Sequence, residues 1–72
     1  MDIVVQLCYS LQEALTGKSF AKVVLGMPPV ADDFIQVQKT LYRIDFVVHI
    51  DSGDGYTPWA IVSGVRPGDL AE

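Results

Sequence analysis

The sequence predicts a mainly β fold, a small antiparallel five-stranded bent sheet or partly open barrel with one short helix near 11–16. Three observations carry this. The run Leu41–Ile50 alternates, placing Tyr42, Ile44, Phe46, Val48 and Ile50 on one wholly apolar face and Leu41, Arg43, Asp45, Val47 and His49 on a mixed one. The other apolar runs are short, rich in Val and Ile, and bounded by Gly, Pro, Asp and Ser. With 72 residues the chain folds around one core, so residues 1–72 are read as a single domain.

Residues 2–11 fit two periods. As a strand, Ile3, Val5, Leu7, Tyr9 and Leu11 share a face, and as a helix Val4, Leu7, Cys8, Leu11, Ala14 and Leu15 form a stripe. Val4-Val5 favours a strand and Gln12–Leu15 a helix, so the reading is a strand over 2–10, a helical turn over 11–16 and Gly17 as a left-handed cap. One continuous helix over 2–16 is the alternative. Ser19–Leu25 reads as the second strand, ended by Gly26. Met27-Pro28-Pro29-Val30 cannot sit inside a ladder, because two consecutive prolines remove two donors, and here the chain crosses over. Residues 34–38 form a short strand with a wet glutamine face, joined to 41–50 by a tight Lys39-Thr40 link. Asp51–Gly55 is a turn, and Trp59–Val65 is the last strand, pairing back on 41–50 with Trp59, Ile61 and Val65 on one face. Arg66–Asp69 stops it and Leu70–Glu72 is a frayed tail.

Composition narrows the function. Half the residues are hydrophobic, rich for so short a chain, which leaves apolar surface for a partner. The net charge is −4, and the five Lys and Arg stand singly at 18, 22, 39, 43 and 66, so no basic patch forms and direct nucleic-acid binding is not expected. The single Cys8 suits a reducing compartment, and Met1–Cys8 lacks the basic start of an export signal, so a cytoplasmic protein without membrane attachment is expected.

The run Val23-Val24-Leu25-x-Met27-Pro28-Pro29-Val30-x-Asp32-Asp33-Phe34-Ile35-x-Val37, followed by Leu41-Tyr42-Arg43-Ile44-x-Phe46-Val47-Val48, resembles a loose group of small phage- and bacterium-encoded proteins. Their pattern is a Pro-containing link, an acidic residue, a short strand and then Tyr-Arg/Lys-Val-x-x-Val. The resemblance implies an SH3-like barrel and carries no catalytic signature. This chain departs from the pattern at Asp32-Asp33, where a Gly-Asp/Glu turn is usual.

Candidate chemistry is sparse. His49 and Asp45 lie about 13 Å apart along one strand, too far for an acid–base couple. Cys8 has no local group to activate it, and Asp51-x-Gly53-Asp54-Gly55 offers too few carboxylates for a calcium loop. No metal, cofactor or catalytic residue is expected. Tyr56 and Trp59 beside Pro58 are the most interface-like residues, with a core position as the other and favoured reading of Trp59, and Phe34 and Tyr42 are further aromatic candidates. Arg43, Asp45, His49, Asp51 and Asp54 are the polar candidates around them. The expectation is a non-catalytic protein-interaction module, in concrete form a phage or mobile-element protein that binds and modulates a host protein with a basic surface, such as a nucleic-acid-handling enzyme. A self-associating subunit of a homodimer or larger homo-oligomer is the alternative.

Overall fold

The computed structural model describes residues 2–65, so the chain stop at 66–69 and the tail at 70–72 lie outside the described residues. The elements in chain order are β1 (Ile3–Cys8), α1 (Leu11–Leu15), β2 (Ala21–Leu25), β3 (Phe34–Val37), β4 (Thr40–Asp51) and β5 (Tyr56–Gly64). They form one five-stranded sheet in the order β2-β1-β5-β4-β3, curled into a half-barrel. Three pairings are antiparallel, but β1 and β5 run parallel, which corrects the expected all-antiparallel sheet. The reason is parity: direction reverses at each connection, so the first and fifth strands point the same way wherever they meet.

The 2–16 ambiguity resolves as strand plus helical turn. Ser10 caps α1 by accepting from Glu13 N–H at 3.2 Å, while Glu13 Oε1 reaches back to Tyr9 N–H at 2.8 Å. This is a capping box displaced by one residue at its return bond. At the other end Gly17 takes φ of +76°, Gly17 N–H bonds Ala14 C=O and Lys18 N–H bonds Glu13 C=O, the paired bonds of a Schellman motif. Five helical residues would not hold alone, and the two caps together with buried Ala14 keep α1 on the sheet.

A β-bulge in β4 sets the faces. Ile44 pairs with Val62 but Phe46 pairs with Ile61, so Asp45 is one residue more than β5 can match. Alternation therefore restarts. Tyr42 and Ile44 lie on the concave face with Val47, whereas Phe46, Val48 and Ile50 lie on the opposite face with Trp59 and Ile61. The single apolar face expected for Tyr42, Ile44, Phe46, Val48 and Ile50 is thus split in two.

Each half has its own core. On the concave side Val5, Leu7, Ile44, Ala60 and Val62 are buried, and residues of both edge strands, Val23 and Leu25 of β2 and Ile35 and Val37 of β3, pack against them. On the convex side Cys8, Trp59 and Ile61 are covered by Ala14 of α1. This accounts for the unbroken apolar run Trp59–Val62 in β5, which is buried on both faces.

The β3–β4 turn is made by Gln38 and Lys39, not Lys39-Thr40, since Val37 pairs directly with Thr40. Both turn residues have positive φ, +48° and +73°, the two-residue geometry that matches strand twist. The 26–33 link is tied to β4 by Asp32 N–H to Ile44 C=O at 2.7 Å and Ile44 N–H to Asp33 C=O at 2.8 Å. Asp32 takes φ of +73°, in the left-handed region that aspartate enters more readily than most non-glycine residues.

Leu7→Ala is expected to cost about 2–5 kcal/mol in urea unfolding, because Leu7 is wholly buried, whereas Val24→Ala, at a side chain 61% exposed, is expected to cost under about 1 kcal/mol. Replacing Gln38-Lys39 with Asn-Gly is expected to stabilise the chain by about 1 kcal/mol, read as a raised urea midpoint at unchanged slope.

Candidate functional site

The bulge also separates the residues expected to meet a partner. Asp45 Oδ1 accepts from Arg43 Nη2 at 3.3 Å, from Arg43 Nε at 3.4 Å and from Ser63 Oγ at 3.2 Å. Arg43 and Ser63 are cross-strand partners, so these polar groups close one spot on the convex face. The ion pair is solvated and contributes about 0–1 kcal/mol. His49 pairs with Pro58 and lies, by alternation with Val47, on the concave side, exposed to solvent. His49 and Asp45 therefore face opposite ways, and the structure does not bring the expected mixed face together.

At the 51–56 hairpin tip the polar groups are mostly spent on the turn. Asp51 Oδ1 accepts from Gly53 N–H at 2.8 Å, and Ser52 bonds Gly55 C=O through both its N–H and its hydroxyl. Asp54 is exposed at the turn, and Tyr56, opposite Asp51, is 72% exposed. Of the two readings of Trp59 the structure takes the core one: it is 8% exposed among Cys8, Ala14 and Ile61, which leaves little of its ring for a partner to touch. Cys8 is buried, its thiol 3.4 Å from Ser10 C=O, and burial together with the Glu13 charge pushes its pKa up, keeping it protonated. Among the described residues no group of three His, Cys, Asp or Glu side chains could hold a metal ion, and no helix is long and apolar enough to cross a membrane.

Two surfaces emerge that the sequence did not single out. Tyr9, Phe20 and Tyr42 form an aromatic cluster, with Tyr9 and Phe20 stacked at 4.3 Å between ring centroids and the Tyr9 and Tyr42 hydroxyls 3.3 Å apart. That hydrogen bond holds the Tyr9 phenol above its ordinary range. The signal for it was only the pattern of apolar positions, since Tyr9 continues the Val5–Leu7 face and Tyr42 the Ile44 face.

The second surface is a groove of 180 Å³ at the open seam of the half-barrel, where the end of β2 approaches the start of β3. Leu25, Met27, Pro29, Phe34, Ile35 and Ile44 line it, and Asp33 is the one charged residue in its wall among the described residues. Met27 is 68% exposed and Phe34 52% exposed. The prolines hold the link extended while its bonds to Ile44 fix it to the sheet, so the groove is built on a rigid frame. No protein-family model, curated protein or solved structure matches the chain.

Because Tyr9 binds its proton more tightly folded than unfolded, its contribution to stability is present below about pH 10 and is lost as pH rises through the folded value. Tyr42→Phe is expected to lower the Tyr9 midpoint in a 295 nm absorbance titration. It is also expected to flatten the loss of stability above pH 10 relative to the parent chain.

Proposed function

We propose that this chain is a non-catalytic protein-interaction module that receives its partner at the open seam between β2 and β3. The observation that carries the reading is the apolar groove there, left uncovered with Met27 and Phe34 half or more exposed in a chain whose polar candidates are scattered over two faces. A monomer gains nothing from leaving such side chains in water, whereas burial of each on a partner contributes about 1.5–3 kcal/mol. The buried, protonated Cys8 and the separation of His49 from Asp45 support binding over bond chemistry. The net charge of −4 suits a partner with a basic surface. The finer setting, a phage or mobile-element protein with an SH3-like barrel that modulates a host protein, rests on the resemblance of the 23–48 stretch.

Met27→Ala with Phe34→Ala is expected to weaken the purified complex about tenfold or more while leaving the unfolding midpoint nearly unchanged, because both side chains are exposed in the free chain. Affinity is also expected to fall between about 50 and about 500 mM salt, measured by titration calorimetry. A salt-independent affinity would remove the electrostatic part of the reading. Sedimentation showing a stable dimer that the double variant dissolves would instead favour the self-associating subunit.

A further inference from the structure

We infer that the partner enters as one extended segment, added as a sixth strand along the open edge of β3, with an aliphatic side chain in the groove and a Lys or Arg beside Asp32 and Asp33. This deepens the interaction-module reading and rests on it. β3 is the last strand of the sheet, and among the described residues no strand lies beyond it. The bond from Ile44 N–H to Asp33 C=O sets the phase of the β3–β4 ladder, so Asp33, Ile35 and Val37 turn their backbone groups toward β4. By alternation, the N–H and C=O groups of Phe34 and Gln36 face the empty edge, ready to pair with an incoming strand.

The groove lies on the line such a strand would follow. An added strand inserts between β3 and the end of β2, and its inward side chain meets Leu25, Ile35 and Ile44, in a space of 180 Å³ that admits one aliphatic group. Charge selects what flanks that group. Asp33 is in the groove wall and Asp32 adjoins it, and among the described residues no hydrogen bond or ion pair engages either carboxylate. The other open edge, β2, carries an exposed lysine, Lys22, which repels the same basic segment. The complementary occupant is therefore a basic-flanked, alternating aliphatic segment of another protein, held to β3.

The test uses the whole chain and a capped, fluorescent peptide of sequence Arg-Val-Thr-Val-Thr-Lys, titrated by anisotropy and followed by amide NMR. Expected are saturable binding and the largest shifts at the Phe34 and Gln36 amides, with affinity reduced about tenfold by N-methylation of the peptide's four central residues, which removes the ladder donors in either strand direction, or by exchanging its basic ends for Glu. Gln36→Pro removes an edge donor that β4 does not use, so it is expected to fold and to bind about tenfold more weakly. Asp32→Asn with Asp33→Asn is expected to lose most of the salt dependence. Equal affinity for the N-methylated peptide, shifts confined to β2, or no binding would overturn strand addition, and the N-methyl comparison stands even if Gln36→Pro misfolds. A cognate protein that binds Gln36→Pro undiminished but fails on Met27→Ala/Phe34→Ala would overturn strand addition while leaving the module reading intact. A dimer of this chain broken by Gln36→Pro would assign the edge to a second copy and overturn the proposal.

Discussion

β5 sits between β1 and β4 with both of its faces covered, and the rest of the molecule is arranged to supply those covers. Ala60 and Val62 turn to a concave core shared with Val5, Leu7 and Ile44, while Trp59 and Ile61 turn to a convex core closed by Cys8 and α1. A strand buried on both sides needs neighbours that present apolar groups to both sides, and β4 does so only because Asp45 is inserted. Were Asp45 paired in regular register opposite Ile61, Phe46 would fall opposite Ala60, Phe46, Val48 and Ile50 would turn to the concave side, and the helix-side core would lose its wall. The bulge also sharpens local twist, consistent with a curled rather than flat sheet.

Curling has a cost at the ends of the sheet. Both edge strands send side chains into the concave core, yet among the described residues no strand closes the gap between them, and backbone groups and apolar side chains line one seam. The edges are blunted unequally. β2 has an outward lysine, whereas β3 is protected mainly by being four residues long and by the acidic turn before it. A short edge beside an apolar groove limits indiscriminate pairing, and it is the feature on which the proposed strand addition rests.

The local connections are built to hold rather than to move. α1 is capped at both ends by its own side chains and a left-handed glycine, the hairpin tip spends Asp51 and Ser52 on itself, and the proline link is bonded to Ile44. Such a frame holds the exposed Met27, Phe34 and Tyr56 in place, and under the proposed binding that lowers the entropy lost. The aromatic cluster of Tyr9, Phe20 and Tyr42 closes the concave core at one end and leaves part of its surface in water.

Much of the local structure was legible in the residues alone: the strand at Leu41–Ile50, the Gly17 cap, the proline crossover and the turn at 51–55 follow from alternation, donor loss and glycine freedom, all properties of neighbours along the chain. The parallel β1–β5 contact and the face exchange at Asp45 were not legible, because each depends on which strand lies beside which and on a count of residues between two partners. The seam groove belongs with these. Leu25, Met27, Phe34 and Ile44 are dispersed along the chain, and only the curl of the sheet, driven by burial on both sides of β5, brings them to one wall.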